Sequence, residues 1–271
     1  MKWYDGFRTV PPTYRPVAVV DIGSNSVRLV VYDGLRRSPA PIFNEKILCG
    51  LGKGVAITGR LNDSAIARAL QELRRFRALV KQIGAKEVFA VATAAAREAK
   101  NGAEFIDLAE KALGAGINVL TGKEEARYAA LGVIAGTPEA DGIAGDLGGG
   151  SLELVDLHDG KLHDGITLPI GPLRLIDLSG GSIERATEIV DGYLEKAEIL
   201  QHLKGRTFYA VGGTWRNLAR IHMAQSQYPL HVLHHYMMNA QQAAGIADLV
   251  SRVRAASSSR PAAGWPAPWR R

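Results

Sequence analysis

Asp21-Ile22-Gly23-Ser24-Asn25-Ser26 and Asp146-Leu147-Gly148-Gly149-Gly150-Ser151 stand 125 residues apart and share one design. Each follows an apolar run, Val-Ala-Val-Val at 17–20 and Ile-Ala at 143–144, and each leads into another, at 27–32 and 152–155. An apolar run, an acid-bearing turn and a second apolar run read as a β-hairpin, and glycine with small residues lets the backbone N–H groups of the turn point at one spot. Two such turns, facing each other across a cleft, form a clamp of amides for a phosphate, with the paired aspartates free to hold a divalent cation that neutralises it. One glycine-rich turn alone is weak evidence for phosphate. The pair is stronger, because internal repetition reports a duplicated structural unit.

Working outward, residues 63–84 place Ile66, Leu70, Leu73, Phe76, Val80 and Ile83 on one helical face, between an Asn62-Asp63-Ser64 start and a Gly84 stop. A strand at 87–92, a helix at 103–113, a strand at 117–120 and a helix at 123–134 follow, and Thr137-Pro138 breaks the pattern. This order predicts an α/β domain with a mixed sheet. The second hairpin starts the pattern again, with a strand at 161–169, a helix at 183–203, a strand at 206–211, a helix opened by Gly212-Gly213-Thr214 and a last helix at 240–254. The expected organisation is an extension at 1–15, one domain at 16–137, a second at 138–254, and a tail at 255–271. The tail is basic and rich in Ser, Pro and Ala without periodicity, the composition of a disordered segment.

At 271 residues and a mean hydropathy of −0.03 the chain has the size and balance of a globular protein of two domains. No stretch approaches the roughly 20 apolar residues that span a bilayer, and residues 1–16 lack the apolar core of a secretory signal, so cytosolic residence without a membrane is the expectation. The net charge of +6 suggests a nucleic-acid partner until its distribution is read. After Asp248 there are five arginines and no acid, so the preceding residues hold 28 basic against 27 acidic side chains. The body is near neutral, and no specific nucleic-acid binding is expected of it. Cys49 is the only cysteine, which rules out an intrachain disulfide and a cysteine metal site. His231 and His235 have the i, i+4 spacing of a zinc pair, yet no Glu or Cys completes such a site nearby, so they read as surface or packing residues.

Asp146 and Glu153 lie seven residues apart on either side of the second turn, and a hairpin folds them toward one cation. Mg²⁺ takes one or two carboxylates plus waters and phosphate oxygens, which suits so sparse a set. Asp21 is the corresponding acid of the first hairpin, acting through a bound water; an aspartate before glycine also caps its own turn.

Together, the turn at 21–26, Thr93-Ala94 with Arg97, Gly-Lys-Glu-Glu-Ala-Arg at 122–127, Asp-Leu-Gly-Gly-Gly-Ser-Leu-Glu at 146–153 and Val-Gly-Gly-Thr at 211–214 resemble the exopolyphosphatase and guanosine pentaphosphate phosphatase (Ppx/GppA) family. The resemblance covers about residues 16–250. It implies a duplicated actin-like, RNase H-like fold that hydrolyses terminal phosphoanhydride bonds of polyphosphate or guanosine pentaphosphate with magnesium. It implies Glu125 as the base that activates water, with Glu124 left as a helix-start acid. Gly23, Ser24, Asn25, Ser26, Gly148, Gly149, Gly150 and Ser151 would cradle phosphates, Arg97 would add a bidentate charge, and Gly212 and Gly213 would lie on the nucleoside side. Many members continue into a further helical domain where this chain runs into Ser257-Ser258-Ser259. Two other readings stay open, a sugar kinase or ATPase of the same fold and a non-catalytic alarmone or polyphosphate sensor, and the sequence leaves open whether two copies pair.

Overall fold

A computed structural model describes residues 15–258. Around the first turn, β1 (Val17–Ile22) and β2 (Ser26–Tyr32) pair antiparallel. β3 (Pro41–Leu48) joins β2 antiparallel, and β4 (Glu87–Ala92) and β5 (Ile117–Val119) extend the other side in parallel, giving the order β3-β2-β1-β4-β5. The helices of this half are α1 (Val55–Thr58), α2 (Asp63–Ile83), α3 (Ala94–Glu98), α4 (Gly102–Leu113) and α5 (Gly122–Gly136). Asn62 caps α2 by accepting from the Ser64 N–H, and Gly84, at φ 83°, ends it. The apolar stripe of α2 buries Leu73 and Phe76 completely against the sheet. Each such side chain contributes about 1.5–3 kcal/mol relative to exposure.

The second sheet repeats four strands of the first in the same order and the same directions. β6 (Gly142–Leu147) pairs antiparallel with β7 (Leu152–His158) around the second turn, β8 (Lys161–Leu168) follows antiparallel, and β9 (Thr207–Val211) lies parallel to β6, in the order β8-β7-β6-β9. α6 (Pro172–Ser179) and α7 (Ile183–Leu194) intervene. These are the two mixed, helix-flanked sheets of a duplicated actin-like fold. By its contacts the chain divides after Val211, and both sheets belong to the first unit. The second unit carries α8 (Gly213–Gln225) and α9 (Ala240–Ser258), which contact each other.

One helix crosses the repeat. α5 lies wholly before Pro138, the expected start of the second repeat, yet its buried Ala126 and Ala130 pack with Ala144, Val155 and Leu157 of the second sheet. Its N-terminus is a capping box in which the Thr121 hydroxyl accepts from the Glu124 N–H and Glu124 accepts from the Thr121 N–H at 2.8 Å. Glu124 is thereby the helix-start acid expected of it.

Two element ends differ from expectation by four residues or more. The helix expected at 183–203 stops at Leu194, and a 3-10 turn covers Glu198–Leu203. The break turns Ala197 and Ile199 into the second core, where they meet Ile143 and Leu154; burial outweighs helical continuity there. α9 continues four residues past Arg254, through two alanines that favour helix. Residues 1–14 and 259–271, on which the expected extension and most of the tail fall, lie outside the described residues.

Candidate active site

The two turns match bond for bond. In the first, Ile22 pairs with Val27 and Asp21 with Arg28; in the second, Leu147 pairs with Leu152 and Asp146 with Glu153. Each loop is closed by the same bond, Gly23 N–H to the Ser26 carbonyl (2.9 Å) and Gly148 N–H to the Ser151 carbonyl (3.0 Å). The turns also touch each other. A methyl group added to Gly149 would lie 3.1 Å from Ser24 Cβ, and one on Gly150 would lie 3.1 Å from Ser24 Oγ, so the approach needs glycine on one side and a small buried residue on the other.

Their carbonyls are tied to the scaffold. Gly52 N–H donates to the Ser24 carbonyl (2.7 Å), Cys49 and Gly50 N–H to that of Asn25 (3.0 Å each), Leu173 N–H to that of Gly149 (2.9 Å) and Arg174 Nε to that of Gly150 (3.0 Å). The N–H groups of Ser24, Asn25, Gly149 and Gly150 have no acceptor among the described residues. Successive N–H groups without acceptors in a glycine-rich turn are a receptor for an anion.

Beside the turns, four carboxyl groups and one guanidinium share an electrostatic neighbourhood. Arg97, on α3 just after β4, donates through Nη1 to the Leu120 carbonyl (2.6 Å) and to Glu125. Glu125, in the first turn of α5, is pushed up by burial, held back by Arg97, and raised again by the charges of Asp146 and Asp21. Glu153 is pushed up to about 8, first by burial; the Ser151 hydroxyl opposes the rise, Glu125 and Asp146 add to it, and Arg97 opposes it. Burial also raises Asp21, against the pull of Arg28 and Lys46. Glu153 Oε1 is buried with no hydrogen-bond partner among the described residues.

Such a set fits a hard divalent cation better than a soft metal, since its donors are carboxylate oxygens, one of them orphaned. Among the described residues no group of three His, Cys, Asp or Glu side chains converges as a metal cage, so water and phosphate oxygens would have to complete the coordination.

The structure thus gathers Asp21, Arg97, Glu125, Asp146 and Glu153 with the two turns, all within the first unit. Gly212 and Gly213 begin the second unit; Gly212, at φ 112°, makes a strand-to-helix junction that favours glycine. Cys49 is buried, and burial raises its thiol, the state of an unreactive packing residue. No described helix is long and apolar enough to cross a membrane. Two side chains at the site carry no motif signal, Glu98 and Arg174, which are ion-paired to each other across 76 residues. The adjacency of Glu98 to Arg97 was the one hint in the sequence, and nothing local marks Arg174.

Residues 30–261 match the model of the Ppx/GppA phosphatase family. Exopolyphosphatase 2 of Mycobacterium tuberculosis is 32% identical over 237 residues, covering 80% of this chain and 74% of its own length. The crystal structure of an exopolyphosphatase from Cytophaga hutchinsonii superposes with a TM-score of 0.74 at 25% identity, over 89% of this chain and 79% of that one. The PPX-GPPA enzyme of Aquifex aeolicus gives 0.62 at 32% identity, over 80% and 73%.

Proposed function

The chain belongs to the Ppx/GppA phosphatase family, and from that premise we propose that it removes the terminal phosphate of inorganic polyphosphate by attack of water, with Mg²⁺. One observation carries the reading. Two turns whose carbonyls are tied off and whose N–H groups lack acceptors meet beside mutually repelling carboxyl groups. Breaking a phosphoanhydride is largely a matter of holding the phosphoryl group, spreading its charge and aiming a water at it.

In this reading the amides and hydroxyls of Gly23 to Ser26 and of Gly148 to Ser151 hold the phosphate oxygens. Arg97 adds a charged fork, which matches a phosphate better than a point charge does. Glu125 takes the proton of the attacking water, and the burial that raises its affinity for a proton makes it a stronger base than an exposed glutamate. Asp146 and Glu153 would hold the cation, with Asp21 acting through a water; when bound, Mg²⁺ neutralises phosphate charge and orients the group. Guanosine pentaphosphate ends in the same anhydride, so the proposal extends to it as a second substrate.

Orthophosphate release from long polyphosphate, tripolyphosphate and guanosine pentaphosphate, with Mg²⁺ and in excess EDTA, tests this. Release from polyphosphate with Mg²⁺ and its loss in EDTA are expected. Tight binding without release would leave the chain a sensor, and ATP-dependent phosphorylation of a sugar would make it a kinase.

A further inference from the structure

Glu98 and Arg174 join the site's halves through a continuous set of polar contacts. Arg174 sits in the first turn of α6, and that helix is fastened to the second glycine turn at three points. Leu173 N–H donates to the Gly149 carbonyl, Arg174 Nε donates to the Gly150 carbonyl, and a Cβ at Gly171 would fall 2.4 Å from Gly150 C and Ser151 N. From this anchored base Arg174 Nη2 pairs with Glu98 Oε2, on α3 beside the first sheet. The other oxygen of Glu98 faces Arg97 Nη2 at 3.7 Å. Arg97 Nη1, the other terminal nitrogen of the guanidinium, serves the Leu120 carbonyl and Glu125.

The guanidinium of Arg97 is therefore restrained at both terminal nitrogens, by hydrogen bonds to Leu120 and Glu125 at Nη1 and by the charge of Glu98 at Nη2. Glu98 alone is more than a third exposed and would swing through several rotamers. Arg174, whose own position is set by the Gly150 carbonyl, holds it. An isolated surface ion pair of this kind contributes little to stability. Here each partner is also bound to a group of the site, so losing the pair removes the restraint on Arg97 Nη2, leaving only the Nη1 contacts to set its plane, and unlinks the second turn from α3. Glu98 and Arg174 line a small cavity with Ser24, Ala94 and Gly150 between the two turns, and neither is bonded to the turn N–H groups.

We propose that Glu98 and Arg174 are positioning residues for phosphoryl hydrolysis, which set the orientation of Arg97, and through it of Glu125, relative to the second glycine turn. The proposal rests on the hydrolase reading above, and the two fail separately: a wild-type chain that releases no orthophosphate defeats that reading, whereas an active wild type with indifferent variants defeats this one.

The experiment measures kcat and KM for tripolyphosphate in Glu98→Gln, Arg174→Gln and Arg174→Lys, each corrected for the folded fraction by circular dichroism, and in Glu98→Gln on an Arg97→Gln background. Misplacement of a reacting group by an ångström costs up to about 100-fold, so each single variant is expected to lose about five- to fiftyfold in kcat with KM within about twofold. Arg174→Lys keeps the charge but cannot serve Glu98 and the Gly150 carbonyl together, so it should fall with the others, and it stands in if Arg174→Gln does not fold. If the pair acts through Arg97, Glu98→Gln costs less than about twofold once Arg97 is already Gln, because coupled residues are not additive. An equal loss on both backgrounds, single-variant losses below twofold, or a rise in KM with kcat unchanged would each overturn the proposal.

Discussion

The two hairpins share strand order, turn length, closing bond and the register of their aspartate, and differ in what stands opposite it. Asp21 faces Arg28, with Lys46 one strand further on, whereas Asp146 faces Glu153. The first hairpin compensates its acid with cations from neighbouring strands; the second sets a further acid against its own in a buried setting, where each disfavours the other's charge. Duplication of a backbone therefore did not duplicate its electrostatics. On the proposed reading both hairpins present amides to the phosphate and the second also brings the cation, with Glu125 and Arg97 beside them.

The largest effect expected concerns the group both hairpins act upon. Glu125→Gln keeps the helix and the shape of the site but cannot accept a proton, so turnover should drop by about 10²- to 10⁴-fold. Steady-state orthophosphate release measures it, and a loss below about fivefold in a folded variant would remove Glu125 as the base.

The second test separates the hairpins. Asp146→Asn and Glu153→Gln should each raise the Mg²⁺ concentration for half-maximal activity by about tenfold, a weakening of about 1.4 kcal/mol, while Asp21→Asn shifts it by less. Equal shifts for Asp21 and Asp146 in a Mg²⁺ titration would erase the distinction.

Third comes pH without metal. A carboxyl whose folded value lies above its unfolded one binds its proton more tightly in the native state, so its contribution is present below the unfolded value and is lost as pH rises through the folded one. For Glu153 that window runs from 4.5 to about 8. In EDTA the wild type should lose stability across it, and Glu153→Gln should lose less and match or exceed the wild type at pH 8. Guanidinium midpoints at several pH values check this; parallel curves for the two proteins would refute it.

The smallest effects lie in the glycines. On Gly150 an added methyl meets Ser24 Oγ and Ala94 Cβ at 3.1 and 3.3 Å, whereas on Gly148 it meets only the Ser151 carbonyl, at 3.6 Å. Overpacking costs about 1–3 kcal/mol, so Gly150→Ala should lower Tm by several degrees in calorimetry. Gly148→Ala should move it by about one degree or less, since ordinary van der Waals contact costs nothing comparable. The reverse order would mean that the turns do not touch.

Much of the fold was legible because its signals are local. The hairpins announce themselves by apolar runs around glycine, and α2 by its stripe, its Asn62 cap and its Gly84 stop. The residues gathered at the site were legible as types, acids beside glycine turns and an arginine after a strand. Their pairing was not. That Asp21 faces a cation and Asp146 an acid depends on strand register, which no short window of sequence fixes. The break after Leu194 was hidden because periodicity continues through it, and only the second core explains why Ala197 and Ile199 turn inward. Glu98 and Arg174 escaped notice for the same reason, since their meaning lies in a contact across 76 residues.

The packing of α5 also governs whether the molecule can be divided. A fragment ending at Gly136 would carry the alanine face of α5 with nothing to cover, and one beginning at Thr137 would leave Val155 and Leu157 open to water. The second sheet borrows its roof from chain that precedes its own repeat, so the two repeats cannot be expressed as independent modules. The shortest piece able to shelter that sheet begins no later than Thr121, upstream of the capping box that starts α5.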